Sequence, residues 1–273
     1  MDQIQTYTSK FEDILDKVAS PLKPHIPTLA RFLLVVTFLE DSVRLVVQWH
    51  SQVYYMQQYR GFPYGLSHLF LLVNIMLMVG CSGLAIARKH TEAAVGGLFL
   101  VVVSQALAYG FVFDLNFFVR NLSVIGALLL LLSEGMSSSR RKSMFAGLPT
   151  ISEVDRSQYF QLAGRILLIL LFLSFILSGE MTLLRILVSL VGLVACIMVV
   201  VGFKAKWSAM FLVLFLSIFN VLINNWWDID YNHTHRDFVK YDFFQTLSIM
   251  GGLLLLVSLG PGGISVDEKK KAF

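Results

Sequence analysis

Long apolar segments separated by short polar connections dominate the chain. Eight of these segments approach the roughly 20 mostly apolar residues that a helix needs to cross a membrane. The pattern therefore predicts an all-α fold, a polytopic membrane bundle of about eight transmembrane helices. The predicted spans are His25–Trp49, Tyr64–Ala87, Ala93–Phe113, Phe117–Ser133, Tyr159–Leu177, Leu183–Phe203, Trp207–Trp227 and Phe238–Leu259.

The first 24 residues follow a different pattern. Their apolar positions recur at helical spacing among polar and charged residues, from Ile4 to Val18. This spacing predicts an amphipathic helix that lies on the membrane surface or packs on the bundle. The segment lacks the continuous apolar run of a cleaved signal peptide.

Composition agrees with a membrane protein. Of 273 residues, 56% are hydrophobic and only 15% are charged, and the mean hydropathy is +0.70. A soluble domain is about 25% charged, so this apolar excess needs a lipid bilayer. The pI near 9.0 does not indicate nucleic acid, because the basic residues lie mainly in the connections between apolar segments.

These basic residues predict the orientation. If eight helices cross the membrane in alternating directions, the basic connections lie on one side. The acidic connections lie on the other side, where Arg60 and Arg236 are among the few basic residues. Because excess lysine and arginine marks the cytoplasmic side, both termini are predicted to be cytosolic and the acidic loops lumenal. The basic set is Arg88, Lys89, Arg140, Arg141, Lys142, Lys204, Lys206, Lys269, Lys270 and Lys271, and the acidic set is Asp114, Glu180, Asp228, Asp230 and Asp237.

Two segments of the first half of the chain resemble two segments of the second half. Residues Leu122–Gly135 align without a gap with Leu247–Gly260, and Arg31–Glu40 align with Arg165–Ser174. An even number of helices in each half predicts two parallel four-helix repeats, related by an axis along the membrane normal. The predicted organisation is an amphipathic segment at 1–24, a first half at 25–134, a cytosolic linker at 135–158, a second half at 159–260 and a cytosolic tail at 261–273.

Charges in the first span indicate a functional site. Glu40 aligns with Ser174 of the second half, and a charge inside a bilayer is costly and usually functional. Arg44 lies three and four residues beyond Asp41 and Glu40, so it reaches either carboxylate on the helix surface. One alternative is a bridged pair that only supports the bundle. The other leaves one carboxylate free, with a surplus negative charge that receives a cationic group from the lumen.

Further polar groups are predicted at the same end of the bundle. Amides there favour the bundle interior and can bind the backbone of a guest peptide, although tryptophan and tyrosine at this depth are also typical of an interfacial belt. With Glu40, Asp41 and Arg44, the candidate binding residues are Tyr109, Asn121, Asn220, Asn224, Asn225 and Asp242.

The last four residues, Lys270, Lys271, Ala272 and Phe273, form a dilysine pattern. Lysines at the fourth and third positions from a cytosolic carboxyl terminus are read as a retrieval address by a coat protein. The alternative is a solvated basic tail that only follows the charge rule.

Other chemistry is weakly indicated. Cys81 and Cys196 lie within apolar segments and are expected to be buried thiols rather than a disulfide. No metal site, cofactor or catalytic residue is predicted, because no metal cluster, nucleophile–base pair or phosphate loop stands out. Asn232 begins a glycosylation sequon in a short predicted lumenal loop.

Three stretches carry a family resemblance. Val239–Lys271, Phe38–Asp41 and Arg141–Thr150 closely resemble the surfeit locus protein four family. The resemblance implies a cargo receptor of the endoplasmic reticulum that cycles through the intermediate compartment and the Golgi. It implies that soluble secretory proteins are captured in the lumen, often through their extreme N-termini, and loaded into COPII carriers. COPI would return the receptor through Lys270 and Lys271.

The sequence thus predicts that a cargo N-terminus enters between the two halves and that its ammonium group meets Glu40 or Asp41. Terminal-amine capture is an established recognition mode. Two alternatives come from other classes, a small-solute or proton-coupled transporter and a membrane-shaping scaffold of the early secretory pathway.

Overall fold

The computed structural model describes residues 25–110, 115–143, 151–177, 183–230, 234–260 and 262–266, and these residues contain helices and turns without a strand. The α-helices are α1 Ile26–Val47, α2 Trp49–Arg60, α3 Tyr64–Ile86, α4 Thr91–Tyr109, α5 Leu115–Ser143, α6 Ile151–Leu177, α7 Leu183–Val201, α8 Ala205–Ile223 and α9 Thr234–Leu259, with a 3₁₀ turn at Trp226–Asp228.

Each of the eight predicted apolar spans overlaps one long helix, and the all-α prediction is confirmed. Five helices in the described part of the chain are long and apolar enough to cross a membrane, namely α3, α4, α5, α8 with the following turn, and α9. In α1, 22 residues long, the apolar pattern is interrupted by charged residues such as Arg31 and Glu40. The chain is therefore a polytopic membrane bundle.

The structure adds one helix that the apolar pattern did not predict. After a break at Gln48, the chain continues as α2, a 12-residue helix of mainly polar and aromatic residues. It ends at Gly61, whose φ of 68° lies in the left-handed region that favours glycine. Arg60 at its last turn donates to the Ala108 carbonyl oxygen over 2.8 Å, which ties α2 to the end of α4.

The helices also differ from the predicted boundaries around the linker. α5 continues to Ser143 and α6 begins at Ile151, so much of the predicted linker at 135–158 is helical. The predicted amphipathic segment at 1–24, Asn232 and the four tail residues from Lys270 lie outside the described residues. Cys81 and Cys196 are buried free thiols, as expected.

Two interfaces are the most extensive in the bundle, α1 against α9 and α5 against α6. In the first, Gly251 lies directly against the backbone of Ala30 and Leu34. In the second, Gly126 lies against the backbone of Gly164 and Leu168. In the predicted repeat, Gly251 corresponds to Gly126, and Ala30 and Leu34 correspond to Gly164 and Leu168. The division into two halves stays a prediction, and it would explain why the two contacts match.

The outer faces of the helices are apolar. On α3, Leu69, Leu72 and Met76 are exposed at helical spacing, and on α8 Leu214, Ile218 and Leu222 are exposed in the same way. Continuous apolar faces of this length are unsuited to water and fit contact with lipid.

Candidate functional site

Charged side chains gather inside the bundle where α1 ends and α9 begins, at the end that the sequence predicts to be lumenal. α1 contributes Glu40 and Asp41, which are 8% and 5% exposed. Because Gly251 of α9 lies beside Ala30 and Lys240 lies beside Glu40, the two helices run antiparallel and bring the start of α9 to these carboxylates. These side chains, with the uncharged Gln105 that donates to Asp41, are called the charged cluster: Glu40, Asp41, Arg44, Gln105, Arg120, Lys240 and Asp242.

Glu40 is paired with a lysine from the far end of the sequence. The Lys240 Nζ atom lies 3.0 Å from Glu40 Oε1. The Glu40 side chain is 6% exposed and that of Lys240 is 30% exposed. The Lys240 ammonium also lies 5.5 Å from the ring centre of Trp226 and 6.0 Å from that of Phe244. One carboxylate and two aromatic rings therefore surround this ammonium.

Asp41 is satisfied by two donors. Arg44 Nη2 donates to Asp41 Oδ1, and Gln105 Nε2 of α4 donates to Asp41 Oδ2 over 2.8 Å. The Arg44 guanidinium also lies 5.6 Å from the ring centre of Tyr241. Asp41 thus links α1 to α4, and Arg44 links both to α9.

A small cleft opens beside Asp41 between α1, α4, α5 and α9. Its polar lining includes Asp41, Gln105, Asn121 and Tyr241, and Phe117 forms part of its apolar wall. The Phe117 and Tyr241 rings stack with their centres 6.0 Å apart. Asn121, predicted from sequence as a binding residue, therefore lines the same cleft as Asp41.

The remaining predicted residues lie around this core. Asp242 forms an ion pair with Arg120 of α5, and the Tyr109 hydroxyl donates to Gln52 Oε1 over 2.8 Å. Asn220 Nδ2 donates to the Phe243 carbonyl oxygen over 3.1 Å.

The other two amides lie further out. Asn224 Nδ2 donates to Asn220 Oδ1 over 2.8 Å. Asn225 instead bonds Asp228 over 2.9 Å at the exposed surface, away from the cleft.

The expected surplus of negative charge is wrong for this structure. Glu40 and Asp41 carry two negative charges, and Lys240 and Arg44 supply two positive ones. Among the described residues Arg44 bridges Asp41 and not Glu40, and the cation on Glu40 comes from another helix. The Asn220 amide expected to meet a guest backbone already holds a backbone carbonyl.

Sequence reasoning missed Lys240 and Gln105. Lys240 lies within the predicted span Phe238–Leu259, on its lumenal side, where the charge rule disfavours lysine. A lysine in such a position usually pairs with another intramembrane charge, so the sequence indicated that a partner exists but not which residue it is. Gln105 gave no comparable signal, because an uncharged amide in a span has many roles.

In the described part of the chain no three histidine, cysteine, aspartate or glutamate side chains converge in a way that would hold a metal ion. The carboxylates of the charged cluster instead pair separately with arginine or lysine. The arrangement suits electrostatic recognition of a charged or hydrogen-bonding group.

A second set of polar contacts lies at the opposite end. Buried Arg31 pairs with Glu134 of α5 and donates to the Ala85 carbonyl oxygen over 3.2 Å. Its counterpart Arg165, fully buried, donates to the Ile264 carbonyl oxygen over 2.8 Å. Gln161 Nε2 also donates to the Gly260 carbonyl oxygen over 2.8 Å, so the start of the tail is fixed to α6.

Comparisons with known proteins cover nearly the whole chain. The model of the SURF4 family matches residues 5–273. The chain is 47% identical over 266 residues to a surfeit locus protein 4 homolog of Schizosaccharomyces pombe, covering 97% of this chain and 88% of that protein. It is 44% identical over 265 residues to the Drosophila melanogaster homolog, covering 97% of each.

The chain is also 40% identical over 273 residues to the Saccharomyces cerevisiae ER-derived vesicles protein ERV29, covering 98% of this chain and 85% of that protein. No solved structure matches.

Proposed function

The chain belongs to the SURF4 family, and from this premise we propose that it is a receptor for soluble secretory cargo. In this proposal the receptor binds cargo in the lumen of the endoplasmic reticulum, enters COPII carriers bound for the Golgi and returns by COPI. A role in vesicle traffic from the endoplasmic reticulum follows from the similarity to ERV29. Of the relatives named above, ERV29 has a name that refers to vesicles derived from the endoplasmic reticulum.

One observation supports cargo recognition above all. A small cleft with both apolar and polar lining, the latter including Asp41, Gln105, Asn121 and Tyr241, lies among four helices at the predicted lumenal end. A single extended peptide terminus needs only a small concave site of this kind. The helices that form the cleft are also joined by the charged cluster, so a terminus bound there would contact α1, α4, α5 and α9 together.

Crosslinking tests the proposed docking site. We expect a photo-crosslinking phenylalanine analogue in place of Phe117, which lines the cleft, to capture a soluble secretory protein in microsomes. The matched control is the same analogue in place of Tyr159, an exposed aromatic residue of α6 at the other end. Capture at position 117 should exceed capture at position 159 by roughly tenfold, the ratio given by about 1.4 kcal/mol of site preference.

Equal capture at the two positions would contradict lumenal docking. A flux assay with the protein reconstituted in liposomes distinguishes a receptor from a transporter. A transporter would carry a small solute or protons across the liposome membrane without cargo. We expect no such flux.

The dilysine signal gives a separate prediction. Replacing both Lys270 and Lys271 with serine should move the protein from the endoplasmic reticulum to later compartments, because the coat would lose two ammonium contacts at a fixed distance from the carboxyl terminus. Lys269→Ser is the matched control, since it removes one positive charge outside this register. Microscopy and COPI binding to a tail peptide measure the effect, and equal binding by the double and control variants would refute the signal.

A further inference from the structure

The Glu40 carboxylate has unused capacity to accept hydrogen bonds. It is buried, yet among the described residues neither of its oxygens accepts one, although Lys240 Nζ lies 3.0 Å from Oε1. Buried carboxylates normally accept several well-directed donors. The nearby Asp41 does so, with one donor on each oxygen. Glu40 is therefore neutralised in charge by Lys240 beside Oε1, and among the described residues its Oε2 atom is left without a donor.

The attachment of Lys240 gives a physical reason. Its ammonium reaches Glu40 on a side chain anchored to α9, so the backbone limits the direction of approach. An ammonium that is not attached to the bundle is free to turn its three N–H bonds toward both oxygens. A guest ammonium is thus able to bind Glu40 with better geometry than Lys240 has.

The surroundings provide a place for Lys240 after displacement. The Lys240 side chain is more exposed than that of Glu40, and its ammonium already lies within cation–π distance of Trp226 and Phe244. The faces of these rings attract a cation. Lys240 is therefore able to move away from Glu40 toward the exposed side while its ammonium keeps its contact with the aromatic rings.

The predicted repeat argues against a purely structural role for this pair. Glu40 corresponds to Ser174, and the same register carried back from Leu247 places Leu115 opposite Lys240. Neither charged residue therefore has a charged counterpart in the other half. By contrast, Arg31 and Arg165 occupy corresponding positions and are both buried. In this alignment the buried arginines occur in both halves, whereas the Glu40–Lys240 pair occurs at the α1–α9 interface and has no charged equivalent at the α5–α6 interface.

We propose that Glu40 is a binding site for a primary ammonium group, that Lys240 fills it in the cargo-free protein, and that a cargo's terminal ammonium displaces Lys240. One ammonium replaces another, so the carboxylate stays neutralised throughout and no covalent bond changes. The identity of the guest rests on the proposed function. The ammonium site itself rests on the contacts of Glu40.

Chemical rescue tests the site without any cargo. Lys240→Ala removes three methylenes and the ammonium, which together correspond to n-propylammonium, and should lower the melting temperature of the purified full chain. We expect n-propylammonium chloride to restore it. Tetramethylammonium chloride at equal ionic strength should not, because it has no N–H group. The double variant Glu40→Gln/Lys240→Ala should not respond to either salt. Equal effects of both salts on Lys240→Ala would overturn the ammonium site.

Cargo exchange is tested with the analogue at position 117. A short apolar peptide is used with a free or an acetylated N-terminus. We expect Lys240→Ala to raise capture of the free peptide by about tenfold and to leave capture of the acetylated peptide unchanged. Glu40→Gln should remove the preference for the free terminus.

The outcomes separate the two proposals. If both peptides are captured equally by wild-type and Lys240→Ala protein, displacement of Lys240 is refuted while the docking site stands. If neither peptide is captured although propylammonium restores Lys240→Ala, the ammonium site stands and the proposed cargo function is refuted.

Discussion

Replacing Glu134 with leucine is expected to destabilise the protein by about 3–5 kcal/mol, the usual cost of leaving a buried charge without its partner. Arg31 is 1% exposed, and Glu134 of α5 is its carboxylate partner. The Ala85 carbonyl oxygen at 3.2 Å accepts a hydrogen bond but does not neutralise the guanidinium. Thermal unfolding of the purified protein in detergent measures the loss.

The double variant Arg31→Met/Glu134→Leu is the matched control. Replacing a buried ion pair by apolar residues of similar volume is often neutral or stabilising, so the double variant should unfold close to the wild-type temperature. A Glu134→Leu protein as stable as the wild type would show that Arg31 does not depend on this carboxylate.

Within one helix, sequence spacing was a sound guide to polar contacts. Asp41 and Arg44 lie three residues apart on α1, which places them on the same helix surface, and the structure joins them. The length and apolar character of the spans predicted the membrane bundle because these properties, too, belong to each helix by itself. A helix of about 20 apolar residues satisfies its own backbone and exposes side chains that suit lipid.

Contacts between distant helices were beyond this reasoning. Glu40 and Lys240 meet because α1 and α9 run antiparallel with a particular relative depth and rotation. The spacing of residues along either helix predicts neither the relative depth nor the rotation. The expected surplus charge failed at this step, since neutralisation was counted only along α1. The charge rule marked Lys240 as unusual, but its partner became identifiable only once the two helices were placed together.

The helix α2 was not predicted from the sequence, for a different reason. It lacks an apolar segment and is supported by contacts with the end of α4, where the Tyr55 and Tyr109 rings stack with centres 5.8 Å apart. Tertiary contacts of this kind stabilise a helix whose own pattern does not predict it. The extension of α5 to Ser143 similarly shows that a helix continues past the end of its apolar segment.

Gly251→Ala is expected to be the most damaging single-methyl change in the bundle. The added Cβ would meet the Ala30 carbonyl oxygen at 2.6 Å and collide with the Leu34 amide nitrogen. Both are backbone atoms within α1, so relief requires the two helices to separate along the bundle's closely packed α1–α9 interface. Overpacking of this kind costs about 1–3 kcal/mol or more, and thermal unfolding in detergent measures it.

Gly83→Ala is the matched control, because an added Cβ there meets nothing within 4 Å. Alanine is favoured over glycine in a helix interior by about 1 kcal/mol, so this variant should be as stable as the wild type or slightly more stable. Gly126→Ala, at the corresponding position of α5, should lower the stability as Gly251→Ala does, since its Cβ would lie 2.9 Å from the Leu168 amide nitrogen. If Gly251→Ala and Gly83→Ala unfolded at the same temperature, the close backbone packing of α1 on α9 would not contribute to the stability of the bundle.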